Sequence, residues 1–379
     1  MRIGIDGKVL SPRAGGIGRS AINLTRNLLR EAALQGHDVQ FSIFSGPQTS
    51  REVLASFDGP FEEHYFPLKS SVLRSLTLLP AMLESRRIDL FHGLDHVGVP
   101  LLGWRGRCIT TLHDVIPLLL PETFTLKHRL VVRATMSRVV RRADRVMVPT
   151  EAVKRDVIDQ LGIPGERVRV IHWGCEERFS PDRSAAGAER VRAKYALPAA
   201  YVLALGTLEP RKNLTTLLAA FARLRQRPDV PSELRLVIAG PRGWRDAPIF
   251  EAVDALGLSD AVSLPGYIDD DDLPDLYRGA ELLAFPSLYE GFGLPIVEAM
   301  RCGVPVITSD RSAMPEVAGG AALLVDPHDA NALATALARV LVDDELRLSL
   351  RAKGLARARE FSWPAAARQT LELYRSLAG

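Results

Sequence analysis

Short apolar runs alternate along this chain with longer stretches in which apolar residues recur at helical spacing. A run of four to six apolar residues closed by Gly or Pro predicts a strand buried on both faces, and a 3.6-residue period predicts a helix laid against such a sheet. Strands are predicted at residues 2–5, 39–44, 89–92, 107–112, 145–149 and 167–172, and helices over 19–35, 69–87, 127–145 and 151–161. In the second of these helices, Val72, Leu73, Leu76, Leu79, Met82 and Leu83 keep the period while Pro80 interrupts it. Residues 176–188 are polar and rich in Pro, Ser and Ala, and read as a linker. The alternation then restarts, with strands at 201–205, 234–239, 261–264, 281–287, 304–310 and 321–326. Helices follow from Asn213 to about Arg225, from Leu294 to Cys302 and Gly303, around 314–318, and over 330–342, 345–359 and 363–378. Strand and helix in alternation predict an α/β protein with parallel sheets, and 379 residues are too many for one ordinary core.

Glu290 to Glu298 reads E-G-F-G-L-P-I-V-E between two of these strands. Gly291 and Gly293 give the backbone freedom for a sharp strand-to-helix turn, and Pro295 suits the first helical turn, where its missing N–H costs nothing. The N–H groups of Phe292, Gly293 and Leu294 then face outward as an anion site. A carboxylate on each side of an anion site suits a ligand with phosphate in its middle and hydroxyls at both ends, as in a nucleotide-sugar. The bland alternative makes Glu290 a solvated turn residue and Glu298 a capping or surface acid.

Other segments carry weaker signals. A Gly-rich loop at residues 11–18, between a strand and a helix, has the phosphate-side geometry of a Rossmann unit without the dinucleotide or Walker spacing. His113 lies at the C-terminal end of a strand, where it either faces a ligand or bonds a neighbouring carboxylate in a turn. Arg211 and Lys212, just before the helix that Asn213 caps, read as a cationic clamp. Asp269 to Asp272 form an acidic run; since they precede Leu273, Leu276 and Tyr277 at helical spacing, a first helical turn is favoured over a metal site. The helix at 127–145 has Lys127, Arg129, Arg133, Arg138, Arg141, Arg142 and Arg145 against an apolar face, either as a solvated side or as a surface for anionic lipid headgroups.

Composition agrees with a soluble globular chain, 47% apolar and 25% charged. No stretch approaches a membrane span and the chain opens directly on R-I-G-I-D, so a cytoplasmic location is expected. Three scattered cysteines have no metal-ligand spacing. Up to Arg178 there are 25 Lys+Arg against 19 Asp+Glu, and after it 23 against 26, so the first half is the basic one.

Two Rossmann-like halves, the glycine loop, the Arg-Lys pair and two glutamates with seven residues between them together resemble the GT-B glycosyltransferases, specifically family 4. The likeness covers essentially the whole chain, most specifically at G-T-L-E-P-R-K-N-L (206–214), G-Y-I-D-D-D-D-L (266–273) and S-L-Y-E-G-F-G-L-P-I-V-E-A-M (287–300). The opening I-G-I-D-G-K-V-L with G-G-I-G-R resembles the bacterial O-antigen mannosyltransferase branch. The resemblance implies an acceptor-binding domain at 1–178, a nucleotide-sugar domain at 179–361 and a helix at 362–379 returning to the first domain, with the donor in the cleft. It assigns Arg211 and Lys212 to the diphosphate with Gly16, Glu290 and the Phe292, Gly293 and Leu294 amides to the sugar and its phosphate, Glu298 to the ribose, the backbone at Tyr267 and Ile268 to the base, and His113 to the sugar.

It further implies a retaining hexosyl transfer, with GDP-mannose the donor of choice and UDP- or dTDP-hexoses as alternatives, to a saccharide or lipid-linked saccharide acceptor. No metal, no cofactor and no nucleic-acid partner are expected, and the basic helix suggests a peripheral membrane location. Rival readings are a nucleotide-sugar epimerase or phosphorylase, a non-catalytic partner subunit of the same fold, and an NAD oxidoreductase. Length and the lack of a pyridoxal-lysine segment disfavour phosphorylase. Competent residues at every polar site position disfavour the silent subunit, and the missing G-x-G-x-x-G disfavours the oxidoreductase.

Overall fold

The structure is a computed structural model that describes residues 1–11, 15–34, 36, 39–67, 78–120, 126–182 and 185–378. The chain divides into two compact units, Met1–Gly174 with Ser362–Gly379, and Cys175–Phe361. The division falls at Cys175 rather than after Arg178. There the Cys175 N–H donates to the Phe361 carbonyl at 3.1 Å, and Phe179 is fully buried edge-on to Tyr277.

The first unit runs β1 (Arg2–Asp6), α1 (Gly15–Leu34), β2 (Gln40–Ser45), α2 (Arg51–Ala55), β3 (Glu62–Tyr65), α3 (Leu78–Ser85), β4 (Leu90–Gly93), β5 (Arg107–Thr111), α4 (Ile116–Leu119), α5 (Leu126–Arg142), β6 (Arg145–Val148), α6 (Glu151–Leu161) and β7 (Val168–Val170). Its seven strands are all parallel in the order β3-β2-β1-β4-β5-β6-β7. β1 shows why the apolar runs are continuous: Ile3 and Ile5 are wholly buried, and Gly4 between them leaves room for the Phe44 and Phe91 rings on the opposite face.

The second unit runs α7 (Ala185–Lys194), β8 (Tyr201–Leu205), α8 (Leu214–Leu224), β9 (Arg235–Ala239), α9 (Ala247–Ala255), β10 (Val262–Gly266), α10 (Leu273–Gly279), β11 (Leu282–Phe285), α11 (Leu294–Arg301), β12 (Val306–Ser309), α12 (Met314–Ala318), β13 (Leu323–Val325), α13 (Ala330–Val342) and α14 (Asp344–Ala358). Its six parallel strands follow the order β10-β9-β8-β11-β12-β13 over a core that includes Leu217, Phe221, Leu236, Ile238, Leu333 and Leu337. The chain then returns to the first unit as α15 (Trp363–Ala378).

α15 lies along α1, where Arg368 pairs with Glu31 at 3.1 Å. At its inner end the buried Tyr374 hydroxyl meets His92 Nδ1 at 2.6 Å, while His92 Nε2 meets the Thr111 hydroxyl at 2.7 Å. Burial pulls the His92 pKa down to about 3, so the ring is neutral, with one nitrogen to donate and one to accept.

In each sheet the winding direction reverses once, between β1 and β4 in the first and between β8 and β11 in the second. The carboxyl ends of those strand pairs are where open α/β sheets leave a crevice for ligands.

Several elements depart from the sequence expectation. α1 starts at Gly15, so Gly16 stands in a first helical turn instead of a loop; residues 12–14 of that loop and Gln35 lie outside the described residues. The helix expected at 69–87 is described only over Leu78–Ser85, since 68–77 also lie outside. α7 starts inside the expected linker. Its anchor is the acidic run: Asp272 is bonded by Lys194 at 2.7 Å and by the Tyr195 hydroxyl at 2.8 Å, and is paired with Arg190 at 2.6 Å, while Asp269 pairs with Lys194 at 2.6 Å. Asn213 does occupy the start of α8, but in left-handed conformation and without capping it through its side chain. Its amide donates to the Pro286 and Pro327 carbonyls at 3.1 and 2.6 Å, tying three loops together.

Candidate active site

The candidate site of the second unit is built where β8 and β11 end side by side. β8 runs into Gly206, whose φ of +144° and lack of a side chain are both required, since a Cβ would stand 2.7 Å from Lys212 Cε. The loop then pairs with the loop after β9, the Gly243 N–H donating to the Leu208 carbonyl at 3.1 Å, and closes in a single 3₁₀ turn, Pro210–Lys212. From β11 the chain passes through Ser287 to Glu290, fastened by the Leu288 N–H to the Arg211 carbonyl at 2.8 Å and by the Glu290 N–H to the Ser312 hydroxyl oxygen at 3.0 Å.

These loops bring four charged side chains into one network. Lys212 Nζ lies 2.7 Å from Glu290 Oε1, and Arg211 Nη1 lies 2.7 Å from Glu290 Oε2. Arg211 also pairs with Glu209 and donates to the Tyr289 carbonyl at 2.9 Å, and Lys212 Nζ stands 4.6 Å from the centre of the Phe285 ring. None of the four side chains is more than 15% exposed. Burial pushes the Glu290 carboxyl up, but Arg211 and Lys212 more than offset it and hold the pKa down at about 2. Burial lowers the Lys212 ammonium, and Glu290 opposes that shift. Two cations thus face two carboxylates in near-desolvated surroundings. The sequence put the cations on a diphosphate and Glu290 on a sugar hydroxyl, whereas the structure shows them satisfying one another.

α11 opens on Gly293 in left-handed conformation, φ +97°, with Pro295 in its first turn, and closes at Cys302 and Gly303. In its first turn Pro295 has no N–H and the Ile296 N–H donates to the Gly293 carbonyl at 2.9 Å. Phe292 is buried edge-on to Phe361, ring centres 5.4 Å apart. Glu298, one turn into α11, is 2% exposed and accepts a hydrogen bond from the Tyr277 hydroxyl at 2.8 Å, so its partner differs from those of Glu290. Tyr267 is exposed just after Gly266, and Ile268 is buried.

Gly16 and His113 belong to the first unit. A Cβ at Gly16 would meet no atom within 4 Å. His113 follows β5, with Nε2 donating to the Leu94 carbonyl at 2.9 Å and the ring 5.7 Å from that of Trp173. Its partner is therefore a backbone carbonyl instead of the carboxylate that the turn reading supposed. Burial lowers its pKa, which leaves a neutral imidazole whose Nδ1 can accept.

Residues 14–178 match the family described as Glycosyltransferase Family 4, and residues 188–357 the one described as Glycosyl transferases group 1. O-antigen chain mannosyltransferase B of Escherichia coli is 35% identical over 72% of this chain and 71% of that protein. The chain belongs to glycosyltransferase family 4. Serotype-specific mannosyltransferase WbdA of Escherichia coli is 32% identical to this family 4 chain over 71% of its residues, which span 33% of that longer protein.

Among solved structures, Anabaena HepE in complex with UDP and glucose matches with a TM-score of 0.76 at 22% identity over 100% of both chains. WaaG, a glycosyltransferase involved in lipopolysaccharide biosynthesis, matches with a TM-score of 0.71 at 17% identity over 98% of this chain and 99% of that one. At such identities these structures establish the fold alone, the GT-B arrangement of two Rossmann-like domains.

The family 4 enzyme has further site residues that the sequence reading passed over. Glu209 stands inside the G-T-L-E-P-R-K segment and was legible there as a third charge. Tyr277 has a hydroxyl aimed at Glu298 but looked like core spacing. Ser312 and Phe285 reach Glu290 and Lys212 only through tertiary packing, for which no local signal exists.

Proposed function

We propose that this glycosyltransferase moves a hexose, mannose, from GDP-mannose to a growing glycan or lipid-linked saccharide with retention at the anomeric carbon, in bacterial surface polysaccharide synthesis. The observation that carries this reading is the Glu290 carboxylate held between Arg211 and Lys212 at the switch point of the second sheet. A diphosphate takes the place of that carboxylate on the two cations and meets the amides at the start of α11, where the helix dipole favours it. Glu290, released, accepts hydrogen bonds from the sugar, and Glu298 does so from the ribose. The backbone at Tyr267 and Ile268 meets the base, and His113 Nδ1 accepts from a sugar hydroxyl. The mannosyltransferase names of the relatives support the choice of sugar.

In the proposed step the bond from the anomeric carbon to the diphosphate breaks, and the acceptor oxygen bonds to the same face. The acceptor proton goes to the departing diphosphate. The chain's contribution is to stabilise the charge on that leaving group.

Thermal stabilisation by a panel of nucleotide-sugars tests the donor, since a ligand at 100 times its Kd adds about 2.7 kcal/mol. The largest shift is expected with GDP-mannose, and a larger one with a UDP- or dTDP-hexose would replace the donor. Donor turnover then separates an enzyme from a silent partner subunit, and the anomeric configuration of the product tests retention.

We also assign the reaction to a metal-independent route, because Arg211 and Lys212 supply the positive charge and Asp269 and Asp272 are engaged by α7. Activity is expected to survive EDTA. Abolition by EDTA with rescue by Mg²⁺ or Mn²⁺ would reject this.

The outer side of α5 presents exposed Leu130 and Val131 beside Arg133, Arg138 and Arg141, while Val132, Met136, Val139 and Val140 face the core. Among the described residues no helix is long and apolar enough to cross a membrane. We assign this side to anionic headgroups at the cytoplasmic face. Co-sedimentation with phosphatidylglycerol vesicles is expected to fall on Arg133→Glu with Arg138→Glu and in high salt; unchanged binding would remove the assignment.

A further inference from the structure

At the switch point of the first sheet, the carboxyl ends of β1, β4 and β5 gather a polar cluster that the steps above leave unused. Asp6, the last residue of β1, is wholly buried, and its Oδ1 accepts from the Lys8 N–H at 3.2 Å. The chain at Gly98 closes over that carboxylate: a Cβ there would stand 2.2 Å from Asp6 Oδ2. Lys8 reaches from the β1 end to Asp95 beyond β4, Nζ to Oδ2 2.7 Å. Asp95 is buried, accepts from the Val97 N–H at 2.8 Å, and its main-chain carbonyl accepts from the Thr110 hydroxyl at 3.0 Å. Lys8 and His96 themselves are only half-buried.

The chemistry of the cluster selects its ligand. One ammonium, Lys8, is paired with Asp95, and a second carboxyl group, Asp6, accepts from the Lys8 N–H, so the cluster has no surplus positive charge to hold a phosphate. It offers donors and acceptors close together, at the position where open parallel sheets take ligands. A neutral molecule dense in hydroxyls matches that pattern, since each hydroxyl both donates and accepts. We propose that Lys8, held by Asp95, binds hydroxyls of the acceptor's terminal sugar at the β1/β4 switch point. The inference rests on the transferase reading and adds a specificity residue to it. A purely structural role, in which the pair only staples two loops, predicts different measurements.

Lys8→Met removes the ammonium and keeps most of the stem; Lys8→Arg keeps the charge and can keep the pair. Saturation-transfer NMR with methyl α-D-mannopyranoside, in the presence of GDP, reads sugar binding without requiring turnover. Acceptor KM is measured beside donor affinity by calorimetry. The expected result for Lys8→Met is loss of the saturation signal and an acceptor KM raised about tenfold or more, with donor affinity within about twofold and partial recovery in Lys8→Arg. A saturation signal equal to wild type in Lys8→Met, or donor affinity falling in parallel with acceptor affinity, would overturn the proposal. If Lys8→Met fails to fold, a Lys8→Gln variant, which removes the charge and keeps a polar end, decides: an acceptor KM and saturation signal identical to wild type overturn the proposal, and a raised acceptor KM at constant donor affinity supports it. Absence of transfer from every donor by the wild-type protein would defeat the transferase reading, while the saturation arm still decides the sugar site.

Discussion

Arg211→Ala is expected to lower turnover by roughly 10²- to 10³-fold, the order lost when one donor to a developing charge is removed from a desolvated site. The structure adds a cost in folding. Arg211 is the ion partner of Glu209, whose side chain is only 4% exposed, and also of Glu290. Removing it strands a buried carboxylate, a loss of about 3 to 5 kcal/mol when one partner of a buried pair goes. The Glu209→Gln, Arg211→Ala double variant separates the two effects. It should recover much of the stability, read by thermal melting, and none of the turnover. Turnover near wild type in either folded variant would take Arg211 out of the reaction.

Glu290→Gln and Glu298→Gln are expected to fail in different ways. Glu290 occupies both cations, so a diphosphate placed on them competes with it. The amide in its place competes poorly, and donor affinity should hold or tighten. Turnover should fall, because the carboxylate is proposed to lie near the anomeric carbon and to stabilise positive charge that exists only in the transition state. The variant should also melt at lower temperature, with Arg211 and Lys212 less well neutralised, and recover on adding donor. Glu298 bonds Tyr277 and is proposed to hold ribose hydroxyls that do not change during transfer. Glu298→Gln should therefore weaken donor binding by roughly 10- to 150-fold at little cost to turnover, the range for a hydrogen bond to a charged group. Steady-state kinetics with calorimetry of donor binding checks both. Lost affinity alone in Glu290→Gln, with lost turnover alone in Glu298→Gln, would exchange the two roles and reverse the placement of sugar and nucleoside.

The legible parts of this fold are those in which local chemistry and burial agree. β8 and α13 match their expected bounds, the first an apolar run closed by Gly206 and the second a helical period opened by the Asp329 cap. β3 was not legible, since its sequence, E-E-H-Y, buries only His64 and lies at the sheet edge, where polar residues are favoured. α7 was hidden because its small and charged residues look like linker, and its partners, Asp269 and Asp272 for Arg190 and Lys194, lie some 75 positions away. In the site, spacing placed Glu290 in a loop and Glu298 one turn into a helix, as found. That Glu290 bonds the cations of another loop was beyond reach, because charge pairing across 78 positions leaves no periodic trace. The same applies to the tautomer of His113, fixed by the carbonyl of Leu94.

The return of α15 to the first unit sets an order of assembly. The second unit is one continuous segment, Cys175–Phe361, and its sheet can close as soon as that segment is complete. The first unit cannot, because residues 362–378 follow all of the second in the chain. Until they dock, α1 lacks the helix packed along it, and His92, neutral and buried, lacks the Tyr374 hydroxyl. A polypeptide ending at Gly174 should therefore expose apolar surface and aggregate, whereas one ending at Phe361 should contain a folded second half beside an unfinished first. Dividing this enzyme into independently folding pieces requires joining α15 to residue 174 by a new connection, and the adjacent Trp173 and Trp363 rings, stacked 5.9 Å apart, mark where that connection belongs.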